Sequence, residues 1–108
     1  MNGAASGYFL ENYVVSEMLR NSYYGEKKVN LNFYRDTNQK EIDLVVETDG
    51  QLHPFEIKRA ASPDKKVIKT FSLLEKSGKD IGAGGIICMA AKPFPIDAEN
   101  SMIPVNLL

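Results

Sequence analysis

The sequence predicts an α/β (α+β) domain built in the order helix, three strands, helix, strand. Three observations predict it. An apolar stripe at helical spacing opens the chain, an Asp49-Gly50 pair joins two strand-like runs, and a later segment carries helix start and stop signals at Ser62-Pro63 and Gly78.

The first element is SGYFLENYVVSEMLRN, from Ser6 to Asn21, with Ser6 as N-cap and Leu10, Tyr13, Val14 and Met18 on one helical stripe. VNLNFYR, from Val29 to Arg35, sets Val29, Leu31 and Phe33 against Asn30, Asn32 and Tyr34, the period of a strand, and DTNQ then supplies turn residues. EIDLVVET and QLHPFEIK are the second and third strands, folded about Asp49-Gly50 as a hairpin. The second helix starts at Ser62 and Pro63, carries Val67, Ile68, Phe71 and Leu74 on its apolar side, and closes at Gly78. A short apolar strand in AGGIICMA is expected to be buried on both faces. The tail from Lys92 to Leu108 holds Pro93, Pro95 and Pro104 and is expected to be extended, with at most a short final strand around IPVNLL.

Residues 1–108 are read as one domain. With 44% hydrophobic and 25% charged residues the chain can build a core. Thirteen basic against fourteen acidic residues leave a formal charge of -1, so composition makes no global case for nucleic-acid binding and any such case must be local. The lone Cys88 sits in an apolar run and is expected to be reduced and buried. No stretch has the length of a membrane span and the first residues lack a signal-peptide pattern, so a cytoplasmic protein with no membrane partner is expected.

The hairpin register carries the chemistry. A two-residue turn places Thr48 opposite Gln51 and, by the same count, Asp43 opposite Glu56. Alternation puts Asp43 and Val45 on one face with Glu56 and Lys58, and Ile42, Leu44 and Val46 on the other with Phe55 and Ile57. Two carboxylates directly opposite repel each other, and a divalent cation between them reverses the sign of that interaction. The same charges also fit a solvated hairpin face with an ordinary ion pair. Pro54, which cannot donate to a ladder, can mark a bulge that shifts the register.

Glu11 borders the apolar stripe of the first helix and is a third candidate acid, better placed than Glu17. Glu41 is expected opposite Lys58 and can pair with it. Arg59, Lys65, Lys66 and Lys69 form a basic cluster suited to nucleic-acid phosphates, whereas Lys76 reads as solvated. Arg35 either approaches the acids or anchors the turn after it. His53 has no cysteine or second histidine with which to build a zinc site and is read as a hairpin residue. The five tyrosines read as core and rim packing, although Tyr34 beside Arg35 leaves base stacking open.

GYFLEN, then EID, then EIK after a hairpin, then a helix and a strand, resembles the PD-(D/E)XK nuclease superfamily. More closely, GYFLENYVVSEML, FYRDTNQKEIDLVVE and PFEIKRA resemble the C-terminal nuclease-like domain of unknown function that follows the ATPase module in many prokaryotic AAA+ family proteins. The resemblance implies a restriction-endonuclease-like fold, a mixed four-stranded sheet with flanking helices in the order αβββαβ. In active members it also implies a site that hydrolyses phosphodiesters with Mg²⁺. Residue by residue, the motif acids match Asp43 and Glu56, the motif lysine matches Lys58, and the acid of the first helix matches Glu11. Ile42 stands where the motif's name places proline.

The resemblance further implies that this chain is the C-terminal piece of a longer AAA+ ATPase, since no Gly-rich loop with GK[ST] occurs in it. Two functions are expected from different classes. As an enzyme, Asp43, Glu56 and the Ile57 carbonyl hold Mg²⁺ or Mn²⁺, Lys58 orients the attacking water, and Glu11 helps position metal or water. As a catalytically inactive module, the same fold contacts nucleic acid or protein for the ATPase.

Overall fold

The structure is a computed structural model and describes residues 3–24, 30–38 and 40–108. Helix α1 spans Gly3–Tyr24, followed by β1 (Asn30–Arg35), β2 (Glu41–Thr48), β3 (Gln51–Ile57) and a 3-10 helix (Lys65–Ser77). After it come β4 (Asp80–Ile81), β5 (Gly84–Cys88), β6 (Phe94–Pro95), β7 (Asn100–Pro104) and a short 3-10 helix at Val105–Leu107. The architecture is α+β with a mixed sheet, as expected, but the sheet has seven strands and not four. Its order is β1-β2-β3-β5-β7-β6, with β4 also paired to β3. β3, β5 and β7 run parallel to one another, while β1, β2 and β6 are antiparallel to their neighbours. β4 and β6 are two residues each, too short to carry a periodic signal. The last long strand ends at Pro104, where the expected one around IPVNLL would continue.

Both faces of the sheet are covered. On one, Val14 of α1 is fully buried, with Leu10 and Met18 beside it, against Leu44, Ile57 and Ile87. On the other, Phe71 and Leu74 of the 3-10 helix pack on Ile42, Val45 and Leu52. Each such side chain contributes about 1.5–3 kcal/mol by leaving water. β5 lies between the two layers: Ile87 faces α1, Ile86 and Cys88 face Met102 and the flank of the 3-10 helix, and every residue of the strand is buried as predicted. Among the described residues no helix is long and apolar enough to cross a membrane.

Local expectations are corrected in three places. α1 has already begun at Gly3, so Ser6 lies inside it and is not its cap, and Tyr13 turns outward at 48% exposure. The second helix starts at Lys65, not Pro63, because Asp64 Oδ1 accepts the Lys66 amide at 2.9 Å and caps it. Its helical type is 3-10, consistent with the spacing of three that separates Ile68, Phe71 and Leu74. Gly78 closes it in the left-handed region, as expected. Val29 lies outside the described residues.

The β2–β3 hairpin has the predicted turn, with positive φ at both Asp49 and Gly50. Its register is unbroken from Thr48↔Gln51 to Leu44↔Phe55, so Pro54 introduces no bulge. Pro54 opposes Val45 at a position where neither residue bonds across the hairpin, so its missing N–H belongs to the far side of β3. That side is the break between β4 and β5, where the strand partner is interrupted at Gly82 and Ala83. The His53 ring spans the same break and donates from Nδ1 to the Ala83 carbonyl at 2.6 Å.

The irregularity lies on the opposite side of β2. Asn32 pairs with Val45 and Tyr34 with Ile42, so the single residue Phe33 opposes two, Asp43 and Leu44. This β-bulge resets the alternation. Ile42 therefore joins Val45 and Leu52 under the 3-10 helix and does not share the α1 face with Leu44, as simple alternation required.

Candidate functional site

Beyond Leu44 and Phe55 the hairpin ladder stops. The next inward-facing donor of β3, the Ile57 N–H, bonds instead to Asp43 Oδ2 at 2.8 Å. The Asp43 carboxylate thus replaces a main-chain carbonyl, and the bulge is what frees it to do so. On its other side β3 continues to bond β5, with the Lys58 amide on the Ile87 carbonyl at 2.9 Å. Glu56 and Lys58 are thereby fixed on a strand paired to the core.

Glu56 is the one charged residue among the described buried positions, at 5% exposure. Its carboxyl is pushed up to about 8, first by burial, then by its side-chain hydrogen bond to Asp43 and the charge of Asp43. Lys58 opposes the rise and Glu41 adds to it. A carboxyl raised this far favours its neutral form at neutral pH, in which Glu56 can donate to the Asp43 carboxylate oxygen. Glu11 of α1 is also raised, by burial, then by Asp43 and Glu41, with Lys58 again opposing. Four acids and one lysine therefore feel one another at this end of the sheet.

Among the described residues Asp43 lines three clefts; the smallest, of about 150 Å³, is the more apolar one formed with Val15, Leu31, Asn32, Phe33 and Leu44, and the other two hold the charged candidates. One, of about 280 Å³, is lined by Glu11, Phe33, Tyr34, Arg35, Glu41 and Asp43. The other, of about 250 Å³, is lined by Glu41, Asp43, Glu56 and Lys58 of the sheet and by Val67 and Thr70 of the 3-10 helix. Asp43, Glu56 and Lys58 share the second cleft and Glu11 reaches Asp43 through the first. Glu41 takes Arg35 as its ion-pair partner, Arg35 Nε to Glu41 Oε1 at 2.9 Å, and not Lys58 as the register alone suggested. Arg35 falls beside the acids.

The basic cluster is spread differently. Arg59, Lys65, Lys66 and Lys69 are exposed, and Lys65 Nζ rests 4.4 Å from the centre of the Phe94 ring. None of the four lines either cleft. Phe33, which alternation sets with Leu31 against Tyr34, is 73% exposed and lines the first cleft, while Tyr34 packs against the core below the 3-10 helix. The signal for this was the adjacency of two large aromatics in one strand, since neighbours point to opposite faces.

Could this site hold a metal? Among the described residues no three His, Cys, Asp or Glu side chains converge as a metal cluster. The donor set is two carboxyls, Asp43 and Glu56, and the Ile57 carbonyl, which lies on the same side of its strand as the amide bonded to Asp43. Mg²⁺ is commonly held by one or two carboxylates with water and phosphate oxygens completing the shell. A buried carboxyl that favours its neutral form fits a cation in its proton's place.

Fold and site together define an α+β domain with a buried Glu56 beside a half-buried Asp43 at the open end of a β-hairpin. Residues 6–108 match the family described as a domain of unknown function, DUF4143, and the chain belongs to that family. No curated protein and no solved structure matches it.

Proposed function

We propose that this domain is a metal-dependent phosphodiesterase of the PD-(D/E)XK type, restriction-endonuclease-like in fold, that acts on nucleic acid as part of a longer AAA+ family ATPase. One observation carries the reading: the buried carboxyl of Glu56 lines one cleft together with Asp43 and Lys58. A purely structural hairpin has no use for that arrangement, which costs desolvation and repulsion. The EID and EIK signatures supply the likeness to the nuclease superfamily.

Asp43, Glu56 and the Ile57 carbonyl are the residues that would hold Mg²⁺ or Mn²⁺. Bound there, such a cation supplies polarisation of the phosphate oxygen and of water. Lys58 orients the attacking water and offsets negative charge as it builds on phosphorus. Glu11, raised by its neighbours, positions water from the α1 side.

The test is a cleavage assay of the purified chain with Mn²⁺ on single-stranded and duplex DNA and RNA. Cleavage is expected to fall at least about a hundredfold in Lys58→Ala, with Mn²⁺ affinity retained. Absence of any cleavage that Lys58→Ala abolishes rejects the enzymatic reading. A second reading, a non-catalytic module that contacts nucleic acid or protein for the ATPase, is favoured by the exposure of Arg59, Lys66 and Lys69 away from the clefts. It requires no specific Mn²⁺ site, and calorimetric titration separates the two.

A further inference from the structure

The bulge has two sides. On β2 it takes in Asp43, whose carboxylate accepts the Ile57 amide, and Leu44; on β1 the residue it opposes is Phe33, whose ring is 73% exposed and lines a cleft that Asp43 also lines. Among the described residues β1 is an edge strand, with no strand paired on its outer side. The core does not explain it, because the residue that packs inward from this part of β1 is Tyr34.

The charge of the cleft decides what can lie against the ring. Glu11, Glu41 and Asp43 face one guanidinium, Arg35, and that one is already bonded to Glu41. A bare phosphate is repelled there, whereas a neutral planar ring is not. At about 280 Å³ the cleft is at the small end of ligand clefts, with room for a single ring system and not for a double helix.

We propose that Phe33 is a base-stacking residue, seating one unpaired base while the adjoining phosphodiester lies in the neighbouring cleft that Lys58 lines, and so directs the site to single-stranded nucleic acid. The nature of this ligand rests on the phosphodiesterase reading above. Inside a duplex both faces of a base are covered by its neighbours, so only an unpaired or everted base can offer a face to Phe33.

Phe33→Ala and Phe33→Trp are the variants, each built with Lys58→Ala so that the probe is not cut. The chain has no tryptophan, so Phe33→Trp introduces a single indole whose fluorescence reports stacking at this position. The probes are a fluorescein-labelled oligo-dT of about a dozen nucleotides and its blunt duplex with oligo-dA, with Mn²⁺ present. Loss of one stacked base is expected to weaken oligo-dT binding by roughly tenfold to a hundredfold in Phe33→Ala, with duplex binding changed less than about twofold. The indole of Phe33→Trp is expected to be quenched by oligo-dT and not by the duplex.

Equal losses on the two probes, or oligo-dT bound without quenching, overturn the proposal. So does failure of oligo-dT to bind. Cleavage by the chain with Lys58 intact is measured alongside: if it persists while Phe33 proves silent, the stacking assignment falls and the phosphodiesterase reading stands. If quenching and selective loss occur without any cleavage, stacking holds and the enzymatic reading falls.

Discussion

The Asp43 carboxylate accepts the Ile57 amide at 2.8 Å, in the position where the next carbonyl of the β2–β3 ladder would otherwise stand. One side chain thus closes the hairpin's hydrogen bonding and can accept a hydrogen bond from Glu56. Structural and chemical roles meet in the same atoms, and substitutions can pull them apart.

Asp43→Ala leaves the Ile57 N–H without its acceptor at a half-buried site and is expected to cost about 1–3 kcal/mol. Asp43→Asn keeps an oxygen for that amide and is expected to cost less than about half as much, while both variants lose specific Mn²⁺ binding. Urea unfolding at pH 5, where Glu56 is neutral, together with Mn²⁺ titration, checks this. Equal destabilisation by the two variants would show that the amide bond contributes nothing.

Glu56 makes stability depend on pH with a definite sign. Its folded carboxyl is raised from 4.5 to about 8, so between those values the folded chain binds more protons than the unfolded one. Stability drawn from the neutral form is complete below the unfolded value and is lost as pH rises toward 8, by at most about 1.4 kcal/mol per pH unit. Glu56→Gln, which cannot ionise, is expected to remove that fall. The difference in unfolding free energy between wild type and Glu56→Gln should change through pH 5–8 and be flat on either side. Because a cation must displace the proton, Mn²⁺ affinity of the wild type should climb over the same interval.

Close approach within the sheet sets the third expectation. A Cβ on Gly84 would run into the Pro54 carbonyl oxygen of β3, and one on Gly85 into the Ser101 carbonyl oxygen of β7. Gly84→Ala is expected to cost about 3 kcal/mol through displaced backbone. Gly50→Ala, in open space but at φ 77°, should cost only about 1 kcal/mol. Comparing the two by chemical denaturation distinguishes packing from backbone strain; a Gly84→Ala loss no larger than that of Gly50→Ala would mean that β5 shifts freely.

The hairpin was legible because its information is local. Asp49-Gly50 dictates a turn in which both residues take positive φ, and the count outward from that turn placed Asp43 and Glu56 together. The bulge was not legible because it is a relation between β1 and β2: within EIDLVVET nothing breaks the alternation, and only pairing with NLNFYR shows that Phe33 meets two residues. Hence the wrong face for Ile42 and the wrong partner for Glu41. The 3-10 geometry was written in the spacing of Ile68, Phe71 and Leu74 but was masked by Val67, which fits an α-helical stripe equally well. β4 and β6 had no pattern to read, since each is only two residues.

The tight turn at Asp49-Gly50 also orders events in time. A hairpin closed by two residues forms on the microsecond scale, about 1–10 μs, whereas β5 and β7 must find parallel partners across long stretches of chain, which is slower. The hairpin pairs Leu44 with Phe55 and so brings Asp43 and Glu56 near each other early, while Glu56 is still hydrated. Burial comes later, when β5 docks along β3 beside Glu56, and it is this late step that raises the Glu56 carboxyl, a rise that a cation held there would offset. Assembly of the sheet in the presence of a divalent ion should for that reason be faster at its final stage than without one, so the metal would act on the pathway as well as on the finished fold.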